Sequence, residues 1–326
     1  MTKAIRMYKT GGSDVLRWET YDPGRPGPGE VLIRHEAIGV NFIDIYHRTG
    51  LYPLPALPAT PGMEGAGVVE AIGENVTELK AGDRIAYAGI PPGSYADARL
   101  IPADRLVKLP EEITFLQAAA MMLRGMTARY LLRKCYPVKK GDTILIHAAA
   151  GGVGLIVCQW ANYIGATVIG TVGSPDKAEL AGTHGCDHTI LYNKEDFVSR
   201  VRDITQGRGV DVVYDSVGQS TFMKSLDCLR PMGMMVTFGQ SSGPIPPIDL
   251  GILVAKGSLF LTRPSLMTYT EERDSLVEHA TDLFEVVTKG GVQIKTGQSY
   301  PLAEAAQAHQ DLEGRKTTGS TILIPG

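Results

Sequence analysis

The chain is expected to be an α/β protein of two domains, a doubly wound parallel sheet formed by its middle and an irregular β-barrel-type domain formed mainly by its first third. Three observations predict this. A glycine-rich turn at 147–154 (HAAAGGVG) joins an apolar strand-like run to an apolar helix-like run. Around it, from Gln117 to Phe238, short apolar runs alternate with helical patterns, the rhythm of parallel strands linked by crossover helices. At 326 residues the chain is also longer than one ordinary core.

Each element follows from its local pattern. In the first third, 30–39 (EVLIRHEAIG) and 66–72 (AGVVEAI) are β-rich and bounded by Gly or Pro. Between them, Pro53, Pro55, Pro58 and Pro61 forbid a long regular element, so this stretch is expected as loop. The turn at 81–84 (AGDR) leads into another short strand. From Gln117 onward, 117–133 is helix-like, 143–147 (TILIH) a buried strand, 154–164 a helix and 167–171 a strand. The alternation continues with a helix at 175–183, a strand at 187–191, a helix at 196–205 and a strand at 210–214, then a helix at 221–229 and a strand at 234–238. An amphipathic helix at 271–289, a helix at 302–312 and a last strand at 320–324 do not extend a parallel sheet easily and are assigned to the first domain. The expected domains are thus 1–124 with 263–326, and 125–262. The apolar stretch 258–262 (SLFLT) is expected to be an edge strand that pairs two copies into a homodimer, since long apolar edges tend to be covered.

Composition narrows the function. With 44% hydrophobic and 21% charged residues the chain is globular and not disordered. A net charge of −3 offers no broad attraction for nucleic acid or an anionic membrane, so any anion site must be local. Cys135, Cys158, Cys186 and Cys228 have no paired short spacing, and the opening MTKAIRMYKTGGSD has no signal-like apolar run. Both point to a reducing, cytoplasmic location. The stretch 143–175 lacks Asp, Glu, Lys and Arg, but its glycines, Gln159 and Asn162 favour strand–helix–strand over a membrane span.

The sharpest chemical signal is the glycine-rich turn. Gly151, Gly152 and Gly154, with Val153 between them, let the backbone approach a pyrophosphate, and the helix that follows offers unpaired N–H groups. Ala149 replaces the first glycine of G-x-G-x-x-G, but the strand before and the helix after supply the required context. The next strand, ATVIGTVGS, ends in Gly173 and Ser174 where an acid would grip a free ribose 2′-hydroxyl. Lys177 follows one turn later, as a ribose phosphate would require, so NADPH is expected over NADH. Asp176 is accounted for by the helix N-terminus. Two further strand ends, YDSVG with Asp215 and Ser216, and FGQSSG from Phe238 to Gly243, aim at the same crevice.

HAAAGGVG together with GVNFIDIYHRTGLYP at 39–53, YDSVG and LTRPSL resembles the zinc-independent quinone oxidoreductases of the medium-chain dehydrogenase/reductase family, zeta-crystallin-like, along the whole chain. The resemblance implies a Rossmann domain plus a GroES-like catalytic domain. It implies that Asn41 and Asp44 of NFID lie beside the nicotinamide, with Thr127 and Tyr130 near the same ring and its ribose. Ser174, Lys177 and Tyr192 would hold the 2′-phosphate, and Ser216, Phe238, Gly239, Gln240, Ser241 and Arg263 would complete the cofactor cleft. A basic residue near the C-terminal helix end would be Arg315 or Lys316, a choice the resemblance leaves open. Tyr52 stands where related enoyl reductases carry a proton-donating tyrosine, with Tyr46 as a second candidate; either also suits an aromatic slot for a quinone.

Zinc alcohol dehydrogenases share this fold. A catalytic zinc needs three protein ligands, and their GHE motif is here PGMEG, with Met63 at the histidine position and no cysteine-rich lobe. No zinc is expected. His184, Cys186 and His188 alternate as metal ligands would, yet read more simply as a helix-to-strand connection. GQSSG matches a nucleophile elbow but is followed by prolines instead of the necessary helix. The expected activity is NADPH-dependent reduction of quinones by direct hydride delivery without flavin or metal, with Asn41, Asp44, Tyr46, Tyr52 and Arg263 around an acceptor bound between the domains. The alternatives are reduction of an activated C=C bond in enones or enoyl thioesters, and an NADPH-binding structural or RNA-binding protein.

Overall fold

In the first third, residues that alternate between core and solvent build antiparallel strands. The computed structural model describes residues 1–326. It contains β1 (Lys3–Arg6), β2 (Arg17–Thr20), β3 (Glu30–Val40), helix α1 (Phe42–Thr49), β4 (Glu64–Ile72), β5 (Arg84–Ala88), β6 (Ala98–Pro102), β7 (Val107–Lys108) and helix α2 (Phe115–Tyr130). Strand β3 is the spine. It pairs antiparallel with both β4 and β6, and Val31 and Ile33 are buried in a core with Val69, Ile85 and Ile101. The proline-rich stretch before β4 carries no regular strand or helix, as its composition requires.

The middle of the chain forms β8 (Thr143–His147), α3 (Gly152–Ile164), β9 (Thr167–Val172), α4 (Pro175–Gly182), β10 (His188–Leu191), α5 (Phe197–Ile204), β11 (Val210–Asp215), α6 (Phe222–Cys228), β12 (Leu229–Thr237), α7 (Gly251–Ala255), β13 (Phe260–Thr262) and α8 (Leu266–Tyr269). The six strands lie in the order β10-β9-β8-β11-β12-β13, all pairs parallel. The order reverses on either side of β8, which makes the end of that strand the topological switch point. The residues of β8, β9 and β11 are almost all buried, the reason they read as continuous apolar runs. Strand β13 is an edge strand of this sheet.

The chain then returns with α9 (Arg273–Thr288), β14 (Thr296–Pro301), α10 (Ala305–Glu313) and β15 (Ser320–Ile324). Strand β15 pairs antiparallel with β3, and β14 lies parallel beside it, so the first sheet runs β14-β15-β3-β4-β5-β7 with β6 also on β3. Two compact units result: Met1–Met126 with Thr270–Thr288 and Ile294–Gly326, and Thr127–Tyr269 with Lys289–Gln293. The expected boundaries differ at both crossings. Residues 263–269 remain with the parallel-sheet unit, where Tyr130 and Tyr269 stack with ring centroids 4.8 Å apart. Lys289–Gln293 stay there too, because the Gln159 side chain closes on the backbone N–H and carbonyl of Gln293.

The sequence reading did not name β1, β2, β6, β7, α7 or α8, and it missed two longer elements. Helix α1 occupies FIDIYHRT, for which no element was expected, although Asn41 at its N-cap and Asp44 three residues on form a capping box. Strand β14 (TGQSYP) has no apolar alternation to announce it; its pairing with β15 alone defines it. No helix is long and apolar enough to cross a membrane.

Candidate active site

In the parallel-sheet unit, a tight turn after β8 leads straight into the N-terminus of α3. Ala148 takes a left-handed conformation, φ 55°, and its carbonyl accepts from the Gly151 N–H at 2.9 Å. A non-glycine residue at positive φ costs about 1–2 kcal/mol, which fits a turn shaped for something other than stability. A Cβ on Gly154 would lie 2.3 Å from the Ala148 carbonyl oxygen and 2.7 Å from that of Ala149. That glycine is needed for helix-to-strand packing. A Cβ on Gly151 would meet only the Ala148 oxygen, at 3.1 Å. Apart from that one tight contact the space beside Gly151 is open. Gly152 and Val153 begin α3, whose unpaired N–H groups face this opening.

The residues expected around a ribose phosphate converge. A Cβ on Gly173 would lie 2.8 Å from the Tyr192 hydroxyl, so Tyr192 lies over the end of β9. Ser174 caps α4, its Oγ accepting from the Lys177 N–H at 3.4 Å, which puts Lys177 in the first turn. The ends of β11 and β12 also meet: a Cβ on Gly239 would lie 2.7 Å from the Ser216 carbonyl oxygen, which accepts from the Ser241 N–H at 3.2 Å. The Phe238 N–H donates to the Asp215 carbonyl. Arg263 donates to Gln240 Oε1 at 2.9 Å and to Thr237 Oγ1 at 3.3 Å, held at the carboxyl end of the sheet. Asp215 itself is fully buried and accepts from the Val217 and Gly218 N–H groups and the Thr221 hydroxyl, so it shapes the loop and does not face a ligand.

Thr127 and Tyr130 lie on one turn of α2, which continues as a π-helical turn over Leu131–Cys135. Tyr130 is buried flat on Tyr269, and burial holds its hydroxyl far above the usual phenol range. Tyr269 donates to or accepts from the Cys135 thiol at 3.2 Å and is pushed up to about 12, mainly by burial. Neither phenol is poised to release a proton near neutrality.

In the other unit, α1 gathers most of the residues expected to face an acceptor. Tyr46 and Tyr52 pack edge to face with centroids 5.1 Å apart, and the Tyr52 N–H donates to the Tyr46 carbonyl at 3.1 Å. Both remain partly exposed. Asp44, expected beside the nicotinamide, is fully buried. Its Oδ2 accepts from the Asn41 N–H at 2.8 Å and from the Tyr95 hydroxyl at 3.1 Å, and that hydroxyl also bonds His309 Nε2 at 2.9 Å. Through Oδ2 the carboxyl supports the start of α1, while its Oδ1 is buried with no hydrogen-bond partner in the protein. Lys316 pairs with Asp311 Oδ1 at 3.2 Å just beyond α10, its side chain 71% exposed, while Arg315 takes the left-handed conformation that ends the helix. Sequence reasoning missed Glu64 and Arg124, a buried ion pair at 3.3 Å whose carboxylate accepts from Asn41 Nδ2 at 2.8 Å. The one signal was a single charge in each of two apolar segments, PGMEGAGVV and AAAMMLRGMTA.

These residues do not fit zinc. Met63 is buried at the histidine position, and Glu64 is fully engaged with Asn41, Leu123 and Arg124. His35, on the neighbouring strand, is tied between the Ala96 carbonyl and the Tyr87 hydroxyl, and its pKa is lowered to about 3 by burial. No three His, Cys, Asp or Glu side chains form a metal-binding group; Cys186 instead lies beside the His188 carbonyl, and His184 bonds the Leu180 carbonyl.

Burial of Asp44 leads to a pH prediction. Its pKa rises from 3.8 to about 7, chiefly by desolvation, against the hydrogen bonds that lower it. Between those values the folded chain holds a proton that the unfolded chain lacks, so this group makes stability fall as pH rises, by up to about 1.4 kcal/mol per pH unit. His35 and His309, both lowered from 6.5 to about 3 by burial, act oppositely, since the unfolded chain binds those protons first. Asp44→Asn isolates the carboxyl. The unaltered chain should lose stability relative to this variant as pH rises from 3.8 to about 7. Urea midpoints whose difference stays constant across that window would overturn the assignment.

The chain matches the family model described as an alcohol dehydrogenase GroES-like domain over residues 27–111, and the one described as a zinc-binding dehydrogenase over 152–282. It is 51% identical over 325 residues to a quinone oxidoreductase of Pseudomonas aeruginosa, covering 100% of both chains. The chain belongs to the quinone oxidoreductase family of medium-chain dehydrogenases/reductases. Within that family, the structure of Escherichia coli quinone oxidoreductase complexed with NADPH matches with a TM-score of 0.97 and 48% identity, covering 100% of both chains. A 2-haloacrylate reductase of a Burkholderia species is 47% identical, covering 100% of this chain and 99% of its own. Membership of a family related to zinc dehydrogenases thus coexists with a ligand set that cannot hold the metal.

Proposed function

We propose that the chain is an NADPH-dependent oxidoreductase that reduces quinones without flavin or protein-bound metal. The observation that carries this reading is the open Gly151 turn at the switch point of the sheet, joined to a strand end that offers Ser174, Lys177 and Tyr192 in place of an acid. The likeness to quinone oxidoreductases, one of them solved with NADPH, supports it. When bound, NADPH supplies a hydride from its nicotinamide C4. The chain's own task is orientation, exclusion of water and provision of a proton. In this reading Gly151, Gly152, Val153 and Gly154 hold the pyrophosphate, and Gly173, Ser174, Lys177 and Tyr192 the 2′-phosphate. Ser216, Phe238, Gly239, Gln240, Ser241 and Arg263 line the sheet end, Thr127 and Tyr130 approach the ribose, and Asn41 approaches the ring. Lys316, already paired with Asp311, can add only a screened attraction for the phosphates.

An NADPH-oxidation screen over quinones, enones and enoyl thioesters tests the reading. Turnover should be fastest with quinones. Preference for enones or enoyl thioesters would favour activated C=C reduction, the reading to which the 2-haloacrylate reductase likeness lends support. NADPH binding with no turnover of any acceptor would point to a binding protein. Tyr52→Phe refines this. If Tyr52 donates a proton, the variant should keep its NADPH affinity and slow enone reduction about tenfold or more while sparing quinones, which take protons readily from water. If Tyr52 only packs on the acceptor through the Tyr46–Tyr52 pair, both reactions should change alike, mainly in KM. Unchanged kinetics with every acceptor would eliminate both roles.

The edge at β13 supports a homodimer. Phe260, Met232, Leu250 and Val254 are 58%, 64%, 68% and 73% exposed, an apolar set beside an unpaired strand edge. Sedimentation at micromolar concentration should give twice the chain mass, and a monomer there would overturn this. The four free thiols, none paired, agree with a reducing compartment such as the cytoplasm.

A further inference from the structure

We propose that Glu64 is a positioning residue whose carboxylate sets the orientation of the Asn41 side-chain amide, an inference that rests on the approach of Asn41 to the nicotinamide proposed above. An asparagine amide has two faces of almost the same shape, one accepting and one donating, and packing alone distinguishes them poorly. A carboxylate can only accept. Glu64 Oε2 lies 2.8 Å from Asn41 Nδ2, so the nitrogen must face it and the carbonyl oxygen must face away. The charge on Glu64 therefore reinforces the orientation that the capping box favours, in which the Asn41 side chain also accepts from the Asp44 N–H.

The rest of the surroundings holds that carboxylate still. Its Oε1 accepts from the Leu123 N–H at 2.8 Å, and Arg124 Nη1 reaches Oε2 at 3.3 Å. The second amino group of Arg124 donates to the Val40 carbonyl, immediately before Asn41 in the chain. The backbone is shaped around the acid as well: a Cβ on Gly39 would lie 2.2 Å from Glu64 Oε2 and 2.4 Å from the Ala119 carbonyl oxygen. Glycine is what lets the carboxylate lie between β3 and α2. Burial raises the Glu64 pKa, while Arg124 and the hydrogen bonds from Asn41 and the backbone pull it back. Such a pair contributes little net stability, because desolvation of two charges consumes the Coulomb gain. Its constraint on Asn41, at the N-cap of α1 and anchored by its own N–H to Asp44, gives it a purpose.

A double-mutant cycle tests the proposal. Glu64→Gln keeps the shape but lets either end of its amide face Asn41, so the preference is lost. We expect kcat/KM for NADPH-dependent quinone reduction to fall about tenfold. We expect the same substitution to lower kcat/KM far less in an Asn41→Ala background, where Glu64 has no amide to orient and only the loss of Arg124's partner remains. Nicotinamide emission of bound NADPH, which senses the ring's surroundings, should show the same non-additivity. It also reads the cycle if no quinone is turned over. A structural role predicts the opposite pattern: losses that add in both backgrounds and follow the melting temperature. Additive losses overturn the proposal while leaving the role of Asn41 intact. An Asn41→Ala enzyme with unaltered kinetics and emission sinks the placement of Asn41, and the proposal with it. If Glu64→Gln is not recovered folded, Glu64→Asp keeps the charge but withdraws it from Asn41, and the same cycle applies.

Discussion

Gly154→Val should abolish measurable NADPH binding, a loss of at least about a hundredfold, because the phosphate turn and the helix behind it cannot both survive the substitution. The first added carbon would lie 2.3 Å from the Ala148 oxygen and 2.7 Å from the Ala149 oxygen, both backbone atoms. Neither can retreat cheaply. The Ala148 carbonyl accepts from Gly151, and the Ala149 N–H donates to the Thr171 carbonyl at 3.1 Å. Helix α3 must therefore move away from the turn, carrying its N-terminal N–H groups out of reach of a pyrophosphate. Gly151→Ala provides the contrast. Its single neighbour, the Ala148 carbonyl oxygen at 3.1 Å, need give only a few tenths of an ångström, so the melting temperature should fall far less than in Gly154→Val. Any loss of affinity there reports the ligand's own approach to the backbone. Fluorescence titration and thermal melts of both variants separate the two effects. Native affinity in Gly154→Val would show that the turn is not the phosphate site.

Lys177→Ala should weaken NADPH about ten- to a hundredfold and leave NADH almost untouched, the size of one charge-assisted phosphate contact. Strand β9 ends in Gly173 and Ser174, with Tyr192 over the glycine and Lys177 in the first turn of α4. No acid stands at the end of β9 itself, and the Ser174 hydroxyl, which accepts from the Lys177 N–H, keeps its own proton to donate to a phosphate; Asp176 lies in the first turn of α4. The discrimination should shrink as ionic strength rises, since a partly exposed cation is screened by salt. Parallel dissociation constants for the two coenzymes at two salt concentrations provide the measurement. Equal losses for NADPH and NADH would remove Lys177 from the phosphate site.

Much of this molecule is written locally. Apolar runs such as TILIH and ATVIG, buried on both faces, required a covered parallel sheet. The break of that pattern by AAAGGVG located the turn and, with the missing acid after β9, the choice of coenzyme. These features depend on a residue's neighbours in sequence, so period, composition and a short motif suffice. The resemblance carried by NFID, YDSVG and LTRPSL then added the class of chemistry. The absence of a zinc ligand set was equally legible, since it required only Met63 at one position and no cysteine lobe.

Other features depended on partners far along the chain. Nothing local showed that Asp44 is buried, since Tyr95, which donates to it, lies fifty-one positions away. Strand β14 has no pattern of its own and exists because β15 offers a free edge to pair with. The segment after β13 stays with the parallel-sheet unit because Tyr269 stacks on Tyr130. Glu64 and Arg124 are single charges in apolar segments, and only the fold makes them a pair that reaches Asn41. The doubly wound sheet and the glycine-rich turn after β8 could be read from the chain, because each is set by local backbone freedom and side-chain type. Tertiary structure alone decided which carboxylates are buried and what they hold, because desolvation and hydrogen bonding there come from residues brought together across β3, α1 and α2.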